Sequence, residues 1–96
     1  MEKNWIPLIN ILVTTKNNVL TDNGIIRADG FATILFKNIG TDVVYINDNI
    51  PIAAGSSFVF DNQPYVVIDE SFSVKFAGVE ISKKLLVIKS YFKLNR

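Results

Sequence analysis

Short runs of β-branched and aromatic residues, separated by Asn, Asp, Gly and Ser, recur along this chain, and they are densest between residues 37 and 60. The runs there occupy residues 43–46, 50–52 and 58–60, and the polar turns between them occupy residues 47–49 and 54–56. Apolar runs of this length, bounded by turn residues, are typical of β-strands. The pattern predicts a β meander, around which we expect the rest of the chain to be organised.

The first third of the chain shows two further strand patterns. Alternating apolar residues predict a strand over residues 8–15, which the polar residues 14–18 end. The sequence Thr-Asp-Asn-Gly at residues 21–24 predicts a two-residue hairpin loop, because Asn and Gly tolerate positive φ. Residues 31–36 are apolar on both alternating faces, which indicates a strand that is central in a sheet or covered on both sides, and we expect it to be the most buried strand.

The last third predicts three more strands. Residues 65–68 form a short apolar run, and Phe72, Val74 and Phe76 alternate with polar residues, which indicates a strand with one wet face. Residues 85–94 fit a period of two and also a helical stripe. We favour a strand there, because the β-branched and aromatic residues of this segment fit a pleated surface.

These patterns predict a single all-β domain over residues 1–96. Ninety-six residues are too few for a second domain. About seven to nine short strands, with turn signals every ~8 to 12 residues, favour a β-sandwich of immunoglobulin-like or jelly-roll type.

Composition narrows the function classes. The chain is 49% hydrophobic with a net charge of +1, which favours a packed core and gives no basic field for nucleic acid. No signal peptide and no transmembrane segment is expected, because no apolar run approaches the ~20 residues that span a bilayer.

Candidate chemistry is sparse. The chain has no His and no Cys, so the commonest general base, metal ligand and thiol nucleophile are missing. The oxygen-rich turn at residues 47–49 lacks the further ligands of an EF-hand, and Asp69 and Glu70 are expected in a solvated loop. We therefore expect no enzyme activity, no cofactor and no metal site. Lysines at positions 83, 84, 89 and 93 give the C-terminal segment a mild positive bias, which protection of an edge strand explains as well as anion binding does.

Large apolar side chains near the two ends are candidates for an interface. Most phenylalanines lie inside strand patterns and are expected in the core. Trp5, Ile6, Tyr91 and Phe92 lie near the termini, where a small domain has little material to cover them, so we predict that they contact another subunit.

The stretch from residue 37 to residue 60 also resembles small virion proteins of tailed bacteriophages, including head auxiliary or decoration proteins of crAss-like phages. The resemblance covers about a quarter of the chain, and this chain has Ala54 where such patterns usually have Pro. It is carried by these residues: Asn38, Gly40, Thr41, Val44, Ile46, Asn47, Ile52, Gly55, Ser56 and Phe58. It implies a multicopy structural role in a virion, as a capsid decoration protein or as a tail or fibre module.

The sequence thus predicts a non-enzymatic β-sandwich of a bacteriophage virion, assembled in the host cytoplasm. Its expected partners are capsid or other virion proteins and further copies of the chain, with no nucleic acid and no membrane. A carbohydrate-binding or adhesion-type β-sandwich with exposed aromatic residues is the alternative.

Overall fold

The protein is described by a computed structural model over residues 10–61, 67–78 and 82–95, and every regular element in these ranges is a β-strand. Because no described residue is helical, the described ranges contain no helix that could cross a membrane. The strands are β1 (Asn10–Leu20), β2 (Gly24–Ile26), β3 (Thr33–Asn38), β4 (Val44–Ile46), β5 (Ile50–Ile52), β6 (Ser57–Asp61), β7 (Phe72–Phe76) and β8 (Leu85–Asn95).

The strands form two antiparallel sheets packed as a sandwich. Sheet A has the order β1-β8-β3-β6, and sheet B has the order β2-β7-β4-β5. First and last strands pair, as do second and seventh, third and sixth, and fourth and fifth. This is the pattern of one long hairpin rolled up into two sheets, which is a jelly roll. The prediction of an all-β sandwich is confirmed, and the strand order is that of the jelly roll, not the immunoglobulin fold.

The core lies between the two sheets and consists of aliphatic and phenylalanine side chains. The rings of Phe36 and Phe60 meet that of Phe72 edge-on, with centroids 5.5 and 5.2 Å apart. Such edge-to-face pairs add stabilisation beyond the burial of area. β3 lies between β8 and β6, as its two apolar faces predicted, although the strand begins at Thr33 and not at residue 31.

The predicted meander between residues 37 and 60 is wrong in its topology. β4 and β5 form a hairpin in sheet B, but the chain reaches them from β3 in sheet A and returns to sheet A as β6. β6 then pairs with β3, with Phe36 opposite Phe58. The segment therefore crosses between the sheets twice, which local strand and turn signals do not reveal.

Asn38 holds both crossings together. Its side-chain amide donates hydrogen bonds to the carbonyl oxygens of Asp42 and Ile52, at 2.6 and 2.9 Å, and its Oδ1 accepts one from the Gly40 N–H at 3.0 Å. Asn38 and Asp42 are completely buried. The Asp42 carboxylate in turn accepts a hydrogen bond from the Gly78 N–H at 2.6 Å. Buried polar side chains thus complete the backbone hydrogen bonding where the strands change sheets.

Three other predictions need correction. β1 continues through the polar residues to Leu20, because the whole strand pairs with β8, and residues 8 and 9 lie outside the described ranges. The turn at residues 21–24 is not a hairpin loop, since it connects β1 of sheet A to β2 of sheet B. Val67 and Ile68 are not in a strand, although the Ile68 N–H donates to the Phe31 carbonyl at 2.8 Å; residues 65 and 66 lie outside the described ranges.

The strand predictions for residues 72–76 and for the C-terminal segment are confirmed. Phe72, Val74 and Phe76 are buried, and the two residues between them are more exposed. β8 pairs along its whole length with β1 and, through residues 85–90, with β3. Tertiary pairing thus decides the ambiguous period of this segment in favour of a strand.

Candidate docking surface

About half of the outward positions of sheet A carry apolar side chains. On β8, Leu85 and Val87 point into the core, so Leu86 and Ile88 point outwards. Residues directly opposite each other in a sheet share a face, and Ile88 is opposite Leu35, which is opposite Val59. Pairing with β1 adds further positions. We call this set the outer face of sheet A; its apolar members are Val13, Val19, Leu35, Val59, Leu86, Ile88 and Phe92.

Several of these side chains are well exposed. Val13 is 60% exposed, Val19 45% and Val59 50%. With strands ~4.8 Å apart and ~3.4 Å per residue, the four-stranded part of this face covers about 400 Å². That area includes the polar positions, so the exposed apolar part of the face is smaller; neighbouring exposed apolar side chains on such a face are common at protein–protein interaction sites. Lys37 and Asp61 are the charged residues of this face among the described side chains, and both lie at its margin.

One end of sheet A narrows to two strands. Pairing between β8 and β3 ends at Ser90 of β8, whose carbonyl accepts a hydrogen bond from the Ala32 N–H at 2.6 Å. Beyond that point, Asn10–Thr14 pair with Tyr91–Asn95 without a third strand from the described ranges. We call these ten residues the terminal ribbon. Both ends of the described chain lie in it.

The structure places the predicted interface residues in different environments. Trp5 and Ile6 lie outside the described residues. Tyr91 and Phe92 are both half-buried, but they are neighbours on one strand and so point to opposite faces. Phe92 is on the outer face of sheet A, where its partner position is Val13. Tyr91 is on the inner side and packs against the core.

Tyr91 belongs to a polar cluster at the base of the terminal ribbon. Its hydroxyl lies 3.1 and 3.0 Å from the two Asp29 carboxylate oxygens and donates to that carboxylate. The Lys89 ammonium is 3.6 Å from Asp29, and the Lys16 ammonium is 5.1 Å from the centroid of the Tyr91 ring. Burial, the hydrogen bond to Asp29 and the Asp29 charge raise the pKa of Tyr91 above its ordinary value of 10.0. The cluster anchors the loop before β3 to β8.

The described carboxylates do not gather into a metal site. No three acidic residues in residues 10–61, 67–78 and 82–95 are arranged to hold an ion. The turn at residues 47–49 is a hairpin turn: Asn47 and Asp48 have φ of 52° and 67°, and the Asn49 N–H donates to the Ile46 carbonyl at 3.3 Å. Asp69 and Glu70 are exposed, as expected of a solvated loop.

The edge-strand interpretation of the C-terminal lysines is wrong for Lys89. Over residues 85–90, β8 lies between β1 and β3, so this part of the strand has no free edge to protect. Lys83 and Lys84 precede β8, and Lys93 lies in the terminal ribbon. Lys89 instead pairs with Asp29 and lies over the Phe31 ring, 5.6 Å from its centroid.

A shallow groove lies on the outer side of sheet B. It has a volume of about 530 Å³ and is lined by Tyr45, Asp48, Lys75, Phe76 and Ala77. An aromatic ring beside a carboxylate and an ammonium group can bind a polar ligand that has one apolar face. Tyr45 is only half-buried, so part of its ring is accessible.

The sequence contained one signal for the outer face of sheet A that our site prediction did not use. Residues 31–36 are apolar at alternating positions on both faces, and a strand whose second face is apolar needs cover on both sides. The structure covers the inner face with sheet B. The pairing that lines up Leu35, Val59 and Ile88 is long-range, so the patch itself could not be assembled from local patterns.

Comparisons with known proteins add no assignment: no protein-family profile, no curated protein sequence and no solved structure matches this chain.

Proposed function

We propose that this protein is a non-enzymatic structural protein of a bacteriophage virion, which docks on a multicopy protein lattice through the outer face of sheet A and the terminal ribbon. The observation that carries the proposal is the group of outward-facing apolar side chains on sheet A. Val13, Val59 and Ile88 have aliphatic surface on this face, and a partner that covers it lowers the free energy by removing it from water.

Two features support a protein partner. The outer face of sheet A is aliphatic at its centre and has Lys37 and Asp61 at its margin. An apolar centre with a polar rim is typical of protein–protein interfaces. The jelly roll is also a recurrent architecture of capsid proteins, and by analogy this favours a structural role in a virion. The resemblance of residues 37–60 to phage virion proteins points the same way. In this proposal the protein acts on capsid or other virion proteins and needs no cofactor.

The test is binding to assembled particles. Purified particles of the source phage should contain the protein in many copies, measured by quantitative mass spectrometry. Free protein added to particles stripped of it should co-sediment. Val59→Lys should weaken co-sedimentation, because it places a charge among the apolar side chains of the outer face of sheet A. Phe92→Ala should also weaken it, because it removes an aromatic ring from the terminal ribbon. Trp5→Ala tests the predicted N-terminal contact.

Ile25→Lys is the matched control. Ile25 is 60% exposed on β2, which belongs to sheet B, so its substitution introduces the same charge away from the proposed surface. Co-sedimentation of Val59→Lys and Phe92→Ala at the parental level would contradict the docking surface. Absence of the protein from particles would contradict the virion assignment.

A glycan-binding module is the second candidate, and the groove at Tyr45 is the observation that favours it. Sugar rings stack on exposed aromatic faces, and Asp48 and Lys75 could accept from and donate to hydroxyl groups. Retention on a polysaccharide array that Tyr45→Ala abolishes would support this function. No retention by the parent protein would exclude it.

A further inference from the structure

The four sheet edges of this sandwich differ greatly in how they are protected. β2 and β5 have three residues each, and β5 has Pro51 at its centre, which has no N–H to offer a partner strand. β6 has five residues and ends in the exposed Asp61. Short strands, proline and charge are the devices that prevent one sheet from pairing with another.

β1 has none of these devices. It is 11 residues long, contains no proline, and has Lys16 as its single charged residue. The Lys16 side chain lies over the Tyr91 ring on the inner side of the sheet and so does not guard the edge. β1 pairs with β8 on one side, and no strand of the described ranges pairs with it on the other. Among the described residues, its outer edge therefore has alternate N–H and C=O groups without a strand partner over about 37 Å.

We propose that β1 pairs antiparallel with β1 of a second copy, which joins two sheets A into one continuous eight-stranded sheet. A strand of the same sequence is a suitable occupant, because an isologous pair of identical strands satisfies the edge groups of both copies at once. This proposal does not depend on the virion assignment.

Symmetry restricts the register of this pair. In a two-fold pair of antiparallel strands one residue lies opposite its own copy, and full overlap of Asn10–Leu20 requires that residue to be Thr15. Val13 then lies opposite Asn17, and Lys16 lies opposite Thr14. The two Lys16 charges are therefore not opposed. This register pairs all 11 residues, and a shift in either direction shortens the ladder.

The expected dimer is weak and reversible. A strip ~10 Å wide and ~37 Å long buries roughly 400 Å² on each partner, about half of the ~800 Å² of a stable interface. Edge pairing also leaves the outer face of sheet A uncovered, because the two-fold axis is perpendicular to the sheet. Self-association and docking on a lattice can therefore fail independently of each other.

Sedimentation velocity of the purified chain tests the proposal. Between about 10 and 500 µM, where an interface of this size dissociates, the mean mass should rise from 10.8 kDa towards twice that value. Thr15→Lys should hold the mass at the monomer value, because it places two ammonium groups directly opposite each other. Ile25→Lys, with the same charge on the exposed edge strand of sheet B, should associate as the parent does. A parent that stays monomeric throughout the range, or a dimer that Thr15→Lys does not weaken, would overturn the proposal.

Disulfide cross-linking tests the register without relying on a charged variant. The chain has no cysteine, so each single-cysteine variant reports one position. Thr15→Cys should form a covalent dimer under mild oxidation, because opposite Cα atoms ~4.5–5.5 Å apart suit a disulfide. Val19→Cys is the control, since its own copy would lie about 27 Å away along the strand. Equal cross-linking of the two variants would refute the proposed pairing.

Discussion

The Asn38 side chain of sheet A donates a hydrogen bond to the Ile52 carbonyl of sheet B, 2.9 Å away. This bond links the strand that leaves one sheet to the end of the hairpin in the other. Because the group is completely buried, water cannot replace its partners.

Asn38→Asp should therefore be strongly destabilising. The nearly isosteric carboxylate would face the carbonyl oxygens of Ile52 and Asp42 in place of two N–H donors. We expect a loss of about 3 kcal/mol in the free energy of unfolding, measured by urea denaturation. Asn49→Asp, in the exposed turn of the β4–β5 hairpin, should change stability by less than about 0.5 kcal/mol. Equal stability of the two variants would mean that the inter-sheet bond contributes little.

Gly40 should not tolerate a side chain. A Cβ atom there would lie 2.7 Å from both the Lys84 amide nitrogen and the Ser82 carbonyl oxygen, which are backbone atoms. Gly40→Ala is expected to cost about 1–3 kcal/mol by thermal or chemical denaturation, as overpacking does. Gly24→Ala is the control, because a Cβ atom at position 24 meets no atom within 4 Å. A neutral Gly40→Ala would show that the segment at residues 82–84 moves away easily.

Asn47 and Asp48 allow the contribution of one side-chain hydrogen bond to the free energy of unfolding to be measured. Both have positive φ, so glycine fits either backbone. Only the Asn47 Oδ1 is seen to accept from the Ser73 N–H, at 3.0 Å. Asn47→Gly should therefore be less stable than Asp48→Gly by about 1 kcal/mol in urea denaturation. The opposite order would mean that this bond does not stabilise the link between the turn and β7.

Tyr91 should ionise above pH 10.0 in the folded protein, the value for an unperturbed tyrosine. Since the folded pKa is raised, the associated stabilisation is complete below the unfolded pKa and is lost as pH rises through the folded pKa. Tyrosinate absorbance, followed in a variant with Tyr45 and Tyr65 replaced by Phe, reports Tyr91 alone. Asp29→Asn should lower the pKa of Tyr91, because the carboxylate charge is removed. An unchanged pKa in that variant would mean that burial, the largest of the three causes, acts alone.

The strands and turns of this protein could be predicted largely from local sequence, whereas their arrangement could not. Phe72, Val74 and Phe76 alternate with polar residues, and this local pattern is enough to predict that the three are buried. The meander predicted for residues 37–60 is wrong, because the chain crosses between sheets there, and Asn38 bridges the crossings through partners 4 and 14 residues away.

The candidate surface shows the same limit. Their positions near the end of the chain predict both Phe92 and Tyr91 as interface residues, and Phe92 lies on the outer face of sheet A. Tyr91 does not share that face, because adjacent strand residues point to opposite faces, and its hydroxyl donates to Asp29 on the inner side. Leu35 and Val59 become neighbours only through strand pairing, which the local pattern does not encode.

The rolled-up strand order also determines when the chain can fold. β8 lies between β1 and β3, and β7 lies between β2 and β4, so one of the two inner positions of each sheet is filled by one of the last two described strands. Until residues 72–95 have left the ribosome, β1 and β2 have no neighbour in their own sheets. The pairs β3–β6 and β4–β5 can form earlier, but β1 and β2 must stay unpaired until β8 and β7 arrive, so both sheets are completed late. Such non-local pairing is slow, and it leaves the long β1 strand open to other chains before β8 arrives.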